Sequence, residues 1–259
     1  MHIDVISDVI CPWCYIGKRK LDRALKEVDG EFVVTVQWRT YQLNPSIPKD
    51  GLDRQESLRK KFGSTSKAAA IYENIRAAGE VEGINFRFDG IERTPNTIDA
   101  HRVINWARNQ KLGIELEQEI RQEECEEENR KDESPEGKIQ ESIQHLLVEE
   151  LFKLYFEQGK DLGDKQVLSD ACRKVGMDYR RVTELLDGPD DIDLIDKEYQ
   201  LARNMGVSGV PCFIINNQYM LMGAQDPERL ARAFRKIAAE EQRAERDGAA
   251  VVQREYGCL

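Results

Sequence analysis

Several shortages in this chain each exclude a class of protein. No stretch approaches the ~20 consecutive apolar residues of a membrane-spanning helix, so none is expected. Histidine is scarce, with only His2, His101 and His145 scattered along 259 residues. No second pair of soft ligands therefore stands at the spacing of a structural zinc site. Basic charge is in deficit, 38 Lys and Arg against 48 Asp and Glu, for a net charge of −10. That balance argues against a protein that tracks phosphates along a nucleic acid. The N-terminal MHIDVISDVI lacks the basic and apolar regions of a secretory signal. Without such a signal, six cysteines in a chain this long do not read as a secreted disulfide framework, and a cytoplasmic protein is expected.

What is present describes an ordered, helix-rich chain: 40% hydrophobic and 33% charged residues, with enough length for its own core. His2–Ser7 reads as a strand, Pro12 to about Val28 as a helix with proline in its first turn, and Phe32–Trp38 as a second strand. Strand, helix and strand so close together make a βαβ unit with parallel strands. From Leu52 to Gly188 the pattern is helical, including Ser66–Ala78 ended by Gly79, Thr97–Gln110, and a helix capped by Asp164 and closed by Gly176. Ile84–Phe88 is the longest strand candidate in that stretch. The periodicity then changes again. A helix at Ile192–Met205 precedes a strand at Val210–Ile215, an Asn216-Asn217 turn, a hairpin partner at Tyr219–Met222, and a terminal helix from Asp226 to Arg246.

Cys11-Pro12-Trp13-Cys14 stands between the first strand and the first helix. There the first thiol faces unsatisfied backbone N–H groups and the positive end of the helix dipole, which favours the thiolate. A thiolate at Cys11 attacks a disulfide, and Cys14, held two residues away, resolves the mixed disulfide. Pro12 stiffens the spacer and Trp13 lays a flat apolar surface beside the sulfur. The alternatives are a zinc half-site or a structural pair. Val210-Pro211 before a strand reads as a proline at a strand start, or as a turn that demands a cis peptide.

Together these two segments, SDVICPWCYIGK and GVSGVPCFII, resemble the two halves of a thioredoxin-fold active site. WRTYQLNP at 38–45, TPNTIDAHRVINWA at 94–107, LFKLYFEQGKDLGD at 151–164 and GAQDPERL at 223–230 are similar to the FrnE-like branch of the DsbA family. The resemblance covers nearly the whole chain. It implies an α/β thioredoxin fold interrupted by a large all-helical insert domain. The change of pattern along the chain sets the bounds, 1–50 as first half, 51–189 as insert and 190–259 as second half, and the acidic extension at 112–137 departs from the family pattern as extra sequence. The resemblance further implies disulfide oxidoreductase activity at Cys11 and Cys14. Pro211 would be a cis-proline facing Cys11, its flanking backbone at Val210 pairing with a bound peptide. Pro12, Trp13, Asn44 and His101 complete the expected substrate-binding set.

Expected partners are protein or peptide disulfides and thiols, with glutathione a candidate co-substrate. No tightly bound cofactor, metal, nucleic acid or membrane is expected, and both monomer and homodimer are compatible with the sequence. The alternative function is a glutathione-dependent transferase or isomerase acting on small electrophiles, a class that shares this architecture but carries Ser at the first motif position. Cys212, directly after Pro211, reads as a buried strand cysteine rather than a third redox thiol. Cys172 reads as packed, Cys125 as an unreactive thiol among glutamates, and Cys258 as a lone tail cysteine. Between Glu115 and Glu133 stand ten acidic and three basic residues, so seven of the ten net negative charges are local to the extension.

Overall fold

A computed structural model describes residues 1–109 and 142–256. Strand β1 (His2–Ser7) is buried over its last five residues, as suits an Ile- and Val-rich strand with neighbours on both sides. Helix α1 (Pro12–Glu27) follows, with Cys11 as its N-cap and proline in the first turn. Strand β2 (Thr35–Thr40) then runs parallel to β1, with Val5 opposite Trp38, which completes the βαβ unit. It begins and ends later than Phe32–Trp38. Propensity marks Phe32-Val33-Val34 as strand, but the ladder starts where β1 offers its first partner, His2 opposite Thr35.

The other flank of β1 is taken by a strand from the far end of the chain. Strand β5 (Cys212–Ile215) pairs antiparallel with it, Val5 opposite Phe213, and β6 (Tyr219–Met222) closes a hairpin. The turn between them holds Asn216 and Asn217 at φ of 50° and 57°, the left-handed pair that a two-residue hairpin needs. The sheet order is β2-β1-β5-β6. The last helix runs from Pro227 to Tyr256, ten residues past the expected Arg246, and packs on α1.

Between the two halves lie helices α2 (Arg54–Phe62), α3 (Thr65–Val81), α4 (Ile98–Trp106), α5 (Ile143–Phe156), α6 (Lys165–Lys174) and α7 (Tyr179–Asp187). Helix α8 (Ile192–Asn204) leads back to β5, and the terminal helix is α9. Two expectations are corrected in this region. Gly79 does not end α3 but lies inside it. A Cβ there would stand 2.3 Å from the Phe86 ring, so glycine serves close packing rather than termination. Ile84–Phe88 is not a strand. Phe86 and Phe88 stack at 4.8 Å in a cluster with Tyr72 and Phe156, and the only ladder among the described insert residues is the two-residue pair β3 (Leu52–Asp53) and β4 (Arg93–Thr94). The acidic stretch 112–137, Cys125 and Cys258 lie outside the described residues.

One apolar core joins sheet and insert. Ile3, Val5, Leu21 and Phe213 belong to the same buried cluster as Phe86, Val103, Leu151 and Phe152.

Candidate redox centre

Helix α1 begins within the Cys11–Cys14 motif, with Cys11 as its N-cap and Pro12, Trp13 and Cys14 as its first residues. Cys11 is buried to 4% exposure, and Cys14 is fully buried one turn deeper. Both are free thiols. The Cys11 thiol points at the Val210 carbonyl, 3.7 Å away, and the Val210–Pro211 peptide is cis. Two segments almost two hundred residues apart thus meet at one sulfur. Their approach is set by Gly17, because a Cβ there would lie 2.8 Å from the Pro211 ring. Trp13 is 42% exposed and faces outward from the motif. Burial raises the Cys14 thiol well above its ordinary value, and the neighbouring Cys11 sulfur adds to the rise, against hydrogen bonds from Ser7 and the Asp8 backbone.

A cleft of about 550 Å³ opens in front of this pair. Cys11, Pro12, Trp13, Asn44 and Val210 all line it. Asn44 also holds its own turn, since its Oδ1 accepts from the Ser46 backbone and hydroxyl. The opposite wall comes from α2 and α3 and includes Arg54, Phe62, Ile71 and Tyr72. Sequence reasoning missed these residues. Arg54 and Tyr72 sit in ordinary helical patterns, and only the packing of α2 and α3 brings them over Cys11.

His101 does not line this cleft, contrary to expectation. It is 2% exposed, and its Nε2 stands 3.6 Å from Asp8 Oδ1. Helix α4 packs behind the sheet, so His101 faces a small cavity with Ser7, Trp38 and Val148. Asp8, just past the end of β1, is fully buried beside His101 and accepts from the Leu43 N–H at 2.8 Å. The neighbouring Arg102 is structural: it donates to the carbonyls of Leu185, Gly188 and Asp190 and pairs with Asp99.

The remaining described cysteines stand apart from the pair. Cys212 packs with Ile6, Tyr41, Ala202, Val207 and Ile214. Residues alternate across β5, so Phe213 and Ile215 face the cluster holding Cys11 and Cys14, while Cys212 faces the other side of the sheet. Burial pushes its thiol up to about 11, and pushes Cys172 in α6 up to about 12. Among the described residues no group of His, Cys, Asp and Glu is arranged to hold a metal ion.

Comparison with known proteins bears on the fold and the family. The chain is similar to a probable DsbA oxidoreductase from Streptomyces coelicolor, at 24% identity and a TM-score of 0.72 over 93% of this chain and 91% of that one. It is similar in fold to the cytosolic disulfide reductase DsbM from Pseudomonas aeruginosa, whose structure was determined with GSH, at 14% identity and a TM-score of 0.56 over 94% and 100% of the two chains. A 2-hydroxychromene-2-carboxylate isomerase has a TM-score of 0.57 at 12% identity, over 96% and 99%. The DSBA-like thioredoxin domain matches residues 2–123 and 139–235. With that match over most of its length, the chain belongs to the DSBA-like thioredoxin domain family.

Proposed function

We propose that this protein is a thiol–disulfide oxidoreductase of the FrnE-like branch, acting in the cytoplasm on protein or peptide disulfides, with glutathione as co-substrate. The observation that carries this reading is the placement of Cys11: it caps α1, faces the Val210 carbonyl, and lines an open cleft with Cys14 one turn below. In the reductive direction the Cys11 thiolate attacks one substrate sulfur. The substrate disulfide breaks, and its other sulfur leaves and takes a proton. Cys14 then gives up its proton and attacks the Cys11 sulfur, which releases the second substrate thiol and leaves the Cys11–Cys14 disulfide. Oxidation of a substrate dithiol is the same sequence reversed. In this reading the backbone beside Pro211 pairs with an extended peptide next to the sulfur. The likeness to a cytosolic disulfide reductase supports the assigned compartment and the co-substrate.

The test is Cys11→Ser in insulin reduction and in refolding of scrambled ribonuclease. Loss of both activities is expected, and unchanged activity would sink the assignment. Glutathione-dependent turnover of an electrophile that survives Cys11→Ser would instead establish the transferase or isomerase reading. The reduction potential of the Cys11–Cys14 pair in a glutathione buffer then sets the direction of catalysis.

A further inference from the structure

The redox cleft has a charge pattern opposite to that of the chain as a whole. In a protein of net charge −10, the cleft walls include Arg54, Lys60 and Lys61 and no aspartate or glutamate. The two lysines are exposed positions of α2: Lys60 pairs with Glu56, and Lys61 lies over the Phe62 ring. Arg54 is different. It is 8% exposed, and the two other buried cations of the described residues, Lys18 and Arg102, both pair with carboxylates. Arg54 forms no ion pair among the described residues. Its Nη1 donates to the Thr94 hydroxyl at 3.3 Å and its Nη2 to the Tyr72 hydroxyl at 2.8 Å, both neutral acceptors. Its Nε is buried with no hydrogen-bond partner among the described residues.

A guanidinium withdrawn from water without a counter-charge is costly, and an anion beside it offsets that cost through charge-assisted hydrogen bonds. Tyr72 and Thr94 each accept from Arg54 and keep their own hydroxyl protons to donate. Burial raises the Tyr72 phenol above its ordinary value against the lowering influence of Arg54, with a smaller rise from the charge of Cys11, so that proton is retained. The cleft volume falls in the range of small-molecule sites. A small carboxylate-bearing compound can therefore reach both ends, its sulfur at Cys11 and its carboxylate at Arg54.

We propose that Arg54, supported by Tyr72 and Thr94, is the carboxylate anchor of the redox cleft, and that it selects small anionic thiols and disulfides over neutral ones. This rests on the oxidoreductase reading of Cys11 and names the class of small substrate. In the step concerned, Cys11 attacks one sulfur of the anionic disulfide, one thiol leaves protonated, and Cys14 displaces the second. The protein dithiol is oxidised and the disulfide is reduced to two thiols.

The test mixes pre-reduced protein with glutathione disulfide or with neutral hydroxyethyl disulfide and follows single-turnover rates by tryptophan fluorescence. Arg54→Gln is expected to lower the ratio of the two second-order rate constants by about tenfold or more, and Arg54→Lys to recover part of it. An unchanged ratio in Arg54→Gln overturns the proposal. Wild-type protein supplies a measurement that does not depend on the variant folding: about 0.5 M salt should slow the glutathione disulfide reaction selectively, and an equal response of both disulfides counts against the anchor. Calorimetric titration with S-methylglutathione, which has no thiol or disulfide to exchange, should give a Kd weakened by about tenfold or more in Arg54→Gln. An unweakened Kd also overturns the anchor. If wild-type protein reduces neither disulfide, the oxidoreductase reading fails alone, and the titration decides the anchor by itself.

Discussion

At the residue scale the two motif cysteines are unequal. Cys11 reaches the cleft, whereas burial and the adjacent Cys11 sulfur raise the Cys14 thiol well above its ordinary value, and in the proposed reaction Cys14 acts only after a mixed disulfide has formed on Cys11. Cys14→Ser should therefore stop the reaction halfway. Intact-mass spectrometry of this variant after exposure to glutathione disulfide is expected to find a stable adduct on Cys11 that wild-type protein resolves, and rapid loss of the adduct would contradict the roles assigned. The bystander thiols make a second prediction. With values near 11 and 12, Cys212 and Cys172 are thiolate to only roughly one part in a thousand or less at about pH 8. Peptide mapping after brief iodoacetamide treatment of the folded, reduced protein should show Cys11 alkylated and the Cys172 and Cys212 peptides unmodified until urea is added.

At the element scale, α1 is fixed on two sides. Against β5 it is Gly17 that allows Pro211 to approach, and the 2.8 Å contact of an added Cβ falls on a stiff ring rather than a flexible chain end. Gly17→Ala should gain up to about 1 kcal/mol of helix propensity and lose about 1–3 kcal/mol to overpacking. Its reductase kcat/KM is expected to fall by more than tenfold and its Tm by no more than about 10 °C, because the displaced segment is the one facing Cys11. Against α5, the helix is held by buried charge: Lys18 bridges Asp22 and Glu149, Arg19 joins Glu149, and His145 meets Asp22 at 2.8 Å. Burial alone would raise both carboxylates. At Asp22 the His145 hydrogen bond and Lys18 outweigh it, and at Glu149 the charges of Lys18 and Arg19 do so, leaving both below the ordinary range. Groups with lowered folded values stabilise fully above their unfolded values and lose that contribution as pH falls through the folded ones. The urea midpoint should therefore drop between about pH 6 and pH 3, and less steeply in Glu149→Gln.

At the scale of the whole molecule, sheet and helical insert share one buried cluster, so neither should melt without the other. Calorimetry is expected to give a single transition with equal calorimetric and van't Hoff enthalpies, and two resolved transitions would show that the insert is independently stable. Charge is distributed with the same consequence for function. The acidic excess is concentrated at 115–133, while the charged residues that line the described cleft are all cations, so the net charge of the chain does not describe the site.

The sequence by itself determined everything that local chemistry dictates. Cys11 and Cys14 at a strand–helix junction, the βαβ order, the Asn216-Asn217 hairpin and the cap at Asp164 all follow from propensity, spacing and turn requirements within a few residues. Only the tertiary structure decided which residues meet across the chain. The start of β2 was set by the ladder β1 offers, Gly79 by the Phe86 ring, and His101 by the packing of α4 behind the sheet. The far wall of the cleft came from α2 and α3, where Arg54 looks in sequence like any other helical arginine. Its difference is the absence of a carboxylate partner among the described residues, and counter-charge is a property of neighbours in space.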